Sequence, residues 1–240
     1  MTLIVSLRIP DGIVIAGDSL STVKEKGQLS PPTFSHAQKI FPFYGKYGVG
    51  IFGAGLVANE SVSIAMRLFE QDLKEKETSF KGVTQIGEKI GNYFHNLLEE
   101  QLNSENKSLD TLQPEQFVYG FQVIGYDGTD PKTVEVHVGK NVHCRVRKEF
   151  GCTYSGSGEI VQAIWRLYKT HPENQPPYPL FSLQDAIDYA EFLIRTTISH
   201  QRFSLKISNV GGDIDVAIVN HFDGFQWIRQ KPLNQILGGN

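Results

Sequence analysis

The chain has 240 residues, 40% of them hydrophobic and 20% charged, with a formal net charge of −3. That length suits one large domain or two small ones and can bury a substantial core, and the near-neutral balance argues against a nucleic-acid surface or a polybasic membrane patch. Two cysteines, Cys144 and Cys152, cannot build a disulfide framework or, alone, a metal cage, and suit a reducing compartment.

The first residues show no cationic segment followed by an apolar stretch and a small-residue cleavage site. No apolar run approaches the roughly 20 residues that span a bilayer. A cytoplasmic protein without a membrane anchor is the expectation.

In chain order, Thr2 to Ile9 and Ile13 to Asp18 are apolar and β-rich, and they flank the turn signal PDG, so they predict a hairpin. Residues 23–37 hold Pro, Gly and charge and predict a loop. KIFPFYG and YGVGIFGAG follow as a second strand pair turning at Gly45, with few charges, as in strands covered on both faces.

Helical spacing then takes over. LVANESVSIAMRLFEQDLKE places Val57, Ile64, Leu68 and Phe69 along one side, with Asn59 as its expected cap. VTQIGEKIGNYFHNLLEEQL repeats the pattern through Ile86, Ile90, Phe94, Leu97 and Leu98. Four strand signals come next: FVYGFQVIGYDG, VEVHV, VHCRV and CTYSG. Helices return at GEIVQAIWRLYK and at SLQDAIDYAEFLIRTTIS, where Ser182 and Asp185 predict a capping box. DIDVAIVNHF and FQWIRQ close the chain as a strand pair. Two helical pairs separating strand blocks, with no linker and no short repeat, predict one α+β domain over residues 1–240. Its sheets should stack and its helices should cover the outer faces.

Gly48, Gly50 and Gly53 stand in G-x-G-x-x-G spacing before a helix, which would make Glu70 or Asp72 the ribose acid of a dinucleotide site. Their place inside the strand, after an antiparallel hairpin, argues against it. The seven histidines are scattered without metal-ligand spacing, and no cofactor or metal site is expected. SGSGEI could cradle an anion at a helix start or simply turn a strand into a helix. Asp18 ends the apolar run IVIAGDS and Lys39 starts KIFPF. Each buried charge wants a partner, and the simplest arrangement pairs them close to the returning chain start.

TLIVSLRIPDGIVIAGDSLST resembles the mature N-terminus of proteasome β-type subunits and of the bacterial HslV peptidase, which are N-terminal-nucleophile (Ntn) hydrolases. The resemblance spans most of the chain, including helix order. It implies the four-layer αββα sandwich of two antiparallel β-sheets flanked by helices. It also implies Thr2 as nucleophile, Asp18 and Lys39 as its charged neighbours, Gly55 in GAGLVAN at the oxyanion position, and Ser157 in SGSGE as a supporting serine. Gly53 falls near the family's substrate pocket, and Gly211 and Gly212 match its final glycine pair. The family usually carries an aspartate and a serine just before that pair. Here the stretch is KISNV, where Ser208 or Asn209 would have to replace them.

The resemblance implies a threonine peptidase acting on peptide or unfolded-protein substrates, in a homo-oligomeric ring or similar assembly and in some cases beside an ATPase unfoldase. A noncatalytic ring or scaffold subunit, or an amidohydrolase of small amides, would use the same fold. A small residue at position 2 permits removal of Met1, and the freed amine, with a reference pKa of about 7.7–8.0, can serve as base near neutrality.

Overall fold

The computed structural model describes residues 2–25, 28–58, 60–205 and 207–231. Fourteen strands and four α-helices are defined among them. The first half holds β1 (Leu3–Ile9), β2 (Gly12–Asp18), β3 (Ser21–Glu25), β4 (Gln28–Phe34), β5 (Ile40–Phe43), β6 (Tyr47–Gly53), β7 (Leu56–Val57), β8 (Glu60–Ser61), α1 (Val62–Glu75) and α2 (Val83–Ser104). The second half holds β9 (Phe117–Asp127), β10 (Asp130–Gly139), β11 (Val142–Arg147), β12 (Gly151–Gly156), α3 (Glu159–Thr170), α4 (Leu183–Arg202), β13 (Ile214–Asn220) and β14 (Gly224–Arg229).

Two five-stranded antiparallel sheets form, in the orders β12-β1-β2-β13-β14 and β11-β10-β9-β6-β5. Strand period sorts β1 between two environments. Leu3, Val5, Leu7 and Ile9 pack with Ala186, Ala190, Leu193 and Ile194 of α4. On the opposite face, Ile4 joins Ile13, Ile15, Ala217 and Val219 of its own sheet against Ile40 and Ile124 of the other. The second sheet meets α1 and α2 through a third cluster built on Phe69, Ile90, Phe94, Phe121 and Val136. The layers therefore run helices, sheet, sheet, helices. Because β1 and β2 are covered on both faces, every residue of both strands is buried.

Glycines permit the close approach of the sheets. A Cβ on Gly50 would stand 2.8 Å from Ile4 Cγ2, and one on Gly17 would stand 2.8 Å from Ile4 Cδ1. Gly48, Gly50 and Gly53 thus lie in or at the end of an antiparallel strand that pairs with β5 and β9. They serve sheet packing, and the dinucleotide reading fails because no parallel strand–helix turn opens there.

Three local expectations are corrected. Residues 23–37, expected as a loop, contain most of the two-stranded ribbon β3–β4. Pro31 and Pro32 fall where the register shifts between Thr22 and Val23, so their missing N–H groups cost the ladder nothing. The cap expected at Asn59, which lies outside the described residues, is supplied by Ser61, whose side chain accepts from the Ile64 N–H. The hairpin β7–β8 displaces the helix start and with it the buried face. Val62, Ala65, Met66, Phe69 and Leu73 face inward, while Ile64 and Leu68 are about half exposed. The expected capping box at Ser182 and Asp185 is present.

Candidate active site

Asp18 collects four hydrogen bonds at the end of β2. Its Oδ1 accepts from the Leu3 N–H at 2.9 Å and from Lys39 Nζ at 2.8 Å. Its Oδ2 accepts from the Leu20 N–H at 3.2 Å and from the Gly211 N–H at 3.0 Å. The β1–β2 hairpin returns Asp18 to the chain start, because Ile4 pairs with Gly17 across it. One oxygen atom therefore binds both the Lys39 ammonium and the amide that joins Thr2 to Leu3, which makes Lys39 and Thr2 necessary neighbours.

The group is dry. Thr2 is 7% exposed, Lys39 6% and Asp18 1%. Lys39 Nζ also donates to the Leu20 carbonyl at 2.6 Å, so two of its three N–H donors are used and one remains. Burial holds the Lys39 ammonium below the ordinary lysine value of 10.5, and the Asp18 carboxylate opposes that shift. Lys39 is fixed from the other sheet as well, since its carbonyl accepts from the Ile51 N–H at 2.8 Å.

Ser157 joins from the turn after β12. Its N–H donates to the Thr2 carbonyl at 2.7 Å, and Leu3 pairs with Gly156 across the strands. Gly156 has φ +90°, and a Cβ there would collide with the Thr2 carbonyl, so the turn needs glycine at that point. A cavity of about 220 Å³ adjoins, lined by Gly156, Ser157, Glu159, His200, Gln201 and Asn209 among others.

Gly211 completes the ring of contacts. Besides its bond to Asp18, its carbonyl accepts from the Ser19 and Leu20 N–H groups at 3.0 and 2.8 Å. Gly212 has φ +72° and lies against Ser19 and the Ser35 carbonyl, where a side chain would clash. In KISNV, Asn209 is turned toward α4: the Gln201 Nε2 donates to Asn209 Oδ1 at 2.9 Å, and Gln201 Oε1 accepts from the Asn209 and Val210 N–H groups at 2.9 and 3.1 Å. Val210 is buried in the α3/α4 cluster.

Thus the Asp18 and Lys39 side chains meet the backbone at Leu3, and the Thr2 carbonyl ties that backbone to Ser157. Gly55 is not bonded into this group. It follows β6 four residues after Ile51, is exposed, and gives its carbonyl to the Val62 N–H at 3.1 Å. Its own N–H has no partner among the described residues, and no atom lies within 4 Å of where a Cβ would stand. Gly53 ends β6 and is likewise exposed.

A second buried ion pair, which the sequence analysis does not include, lies close by. Lys231 Nζ bonds Asp215 Oδ2 and donates to the Ala37 carbonyl at 3.0 Å, two residues before Lys39. The Lys231 N–H donates to Asp215 Oδ1 at 2.8 Å. Lys231 lowers the Lys39 pKa and Asp215 raises it, so the pair lies within electrostatic reach of the site. The available signal was Asp215 itself, a carboxylate inside the apolar run IDVAIV.

Among the described residues no group of three or more His, Cys, Asp or Glu is placed to hold a metal ion, and no helix is long and apolar enough to cross a membrane. Compared with known proteins, the chain matches no family model and no curated relative.

Proposed function

We propose that this chain is an N-terminal threonine hydrolase of the Ntn type, cutting peptide bonds with Thr2 after Met1 is removed. The observation that carries the reading is the single Asp18 oxygen shared by Lys39 Nζ and the Leu3 N–H. A buried ion pair locked onto the peptide of one threonine is costly unless it serves a local purpose. The layer order of the fold is what the resemblance to proteasome β-type subunits implies, and it supports the same reading.

In this mechanism the freed Thr2 amine takes the proton from Thr2 Oγ, directly or through a water, while Oγ bonds to the substrate carbonyl carbon. The remaining donor of Lys39 favours the developing negative charge on Oγ, and its positive charge keeps the amine neutral. The Gly55 N–H receives the carbonyl oxygen as it becomes an oxyanion, a contribution of about 2.7–4 kcal/mol where one such donor has been removed. The protonated amine then gives its proton to the leaving amine as the C–N bond breaks. Water hydrolyses the resulting ester by the reverse roles. Peptides or unfolded chains are the substrates, and assembly into a ring that walls off the site belongs to the same reading.

A noncatalytic scaffold is the second reading, and one observation favours it. Asn209, which stands close to where the family carries its supporting groups, is engaged by Gln201. Lys39→Ala separates the two. On the enzyme reading it abolishes peptide turnover while circular dichroism remains native; unchanged turnover removes Lys39 from the mechanism. A native protein without peptidase or amidase activity favours the scaffold.

A further inference from the structure

A cavity of about 660 Å³ lies at the other end of β1. Arg8 stands five residue steps along the strand from Leu3, about 17 Å of chain. The strand period turns Arg8 into the space between the sheets, where it is 4% exposed and lines the cavity. Its Nε donates to the Glu149 backbone carbonyl at 2.9 Å, and its Nη1 to Thr133 Oγ1 at 2.9 Å and Thr153 Oγ1 at 2.8 Å. Nη2 donates to no group among the described residues and sits beside the bare backbone of Gly151.

All three acceptors are neutral. No carboxylate among the described residues comes within 4.0 Å of Arg8, and those nearby are otherwise disposed. Glu135 is bound by Arg147 at 2.8 Å, and the Glu149 side chain is exposed, with only its backbone reaching Arg8. Burial pushes the Cys152 thiol up to about 12, so it supplies no thiolate. A guanidinium buried this deeply with no carboxylate in contact, only the longer-range attraction of Glu135 and Glu149, lacks the direct partner that normally compensates it. Two N–H donors of Nη2 remain for an incoming anion.

The walls decide the rest of the ligand. Trp165 stands edge-on to Tyr154 with ring centroids 4.9 Å apart, and Tyr178, Tyr168 and Phe150 extend the apolar lining. The volume falls in the range of small-molecule sites, about 300–1,000 Å³, where apolar walls surround a few placed polar groups. Arg8 supplies the buried positive charge, Arg147 is paired with Glu135, Lys169 is exposed, and Glu149 stands close by, so the buried part of the site matches a monoanion better than a dianion.

We infer that the cavity between Arg8 and Trp165 binds a small organic carboxylate with a flat apolar body, its carboxylate on Arg8 Nη2. This site is independent of Thr2 and stands or falls apart from the hydrolase reading.

The test titrates the intact protein with 3-phenylpropionate, its amide and inorganic phosphate, each as a probe. The readout is calorimetry, together with Trp165 fluorescence in a Trp227→Phe background. The expected result is saturable one-to-one binding of the acid at millimolar concentration, with the amide and phosphate at least tenfold weaker. Arg8→Met should remove the difference between acid and amide. Equal binding of acid and amide, a preference for phosphate, or no saturation by tens of millimolar overturns the assignment. If Arg8→Met does not fold, the acid–amide comparison on the native chain decides alone.

Discussion

A buried cation lies near each end of β1, Lys39 from the segment before β5 and Arg8 from β1 itself, and the two are compensated differently. At the Thr2 end Lys39 lies 2.8 Å from a carboxylate that also accepts three backbone N–H groups. At the far end Arg8 reaches only two hydroxyls and a peptide carbonyl. The first arrangement is closed: charge meets charge, and the polar groups around it pin the chain start, the β2 end and the glycine pair together. The second is open, with charge met by dipoles and an adjoining cavity. A closed pair holds geometry, as a catalytic site requires; an open cation leaves an interaction for something from outside.

The widest difference should appear on mutation. Asp18→Ala leaves Lys39 buried without its anion and the Leu3 and Gly211 N–H groups without an acceptor, and should cost about 3–5 kcal/mol. Arg8→Met removes a charge that has no ionic partner and replaces it with an apolar chain of similar reach, so its effect should stay within about 1 kcal/mol. Urea unfolding of both variants measures the contrast. Equal losses would mean that the two cations are not held differently.

A smaller effect is expected in the pH profile of turnover. Activity should rise as the Thr2 amine loses its proton, near its reference value of about 7.7–8.0. It should fall again as Lys39 loses its charge, below the ordinary lysine value of 10.5 because burial favours the neutral form. Asp18 raises the Lys39 pKa, so Asp18→Asn, if it retains measurable turnover, should move the alkaline limb lower still. An alkaline limb that stays put in that variant would separate Lys39 from the profile. The same shift has a consequence for stability. With the folded pKa of Lys39 below its unfolded value, the unfolded chain binds more protons in the window between them. This group therefore adds stability as pH rises through that window.

How far the sequence is legible follows from the same physics. Asp18 and Lys39 stand out because each interrupts an apolar run, and pairing is the cheapest resolution; the structure pairs them. Arg8 in IVSLRIP and Asp215 in IDVAIV carry the same mark, and each proves buried. Strand and helix order was readable from period and turn residues. The buried face of α1 was not, because it depends on the hairpin β7–β8, which moves the helix start to Val62. The β3–β4 ribbon was hidden by Pro31 and Pro32, whose effect on a ladder depends on whether a bulge accommodates them, a matter of pairing and not of local composition. The engagement of Asn209 by Gln201 arises from α4 packing beside the final turn, and no short-range pattern announces it.

The central claim is that Thr2 is a nucleophile activated by its own amine beside Lys39. The most direct measurement treats the native protein, shown by intact mass to lack Met1, with a β-lactone probe and maps the adduct by peptide mass spectrometry. Thr2→Ala and a form with a noncleavable N-terminal extension are the comparisons. The account predicts one stoichiometric adduct on Thr2 Oγ in the native protein, none in either altered form, and peptide turnover lowered by about 10⁴–10⁶ in both. An adduct elsewhere, or an extended form that keeps its extension and works as well as the native chain, would contradict it.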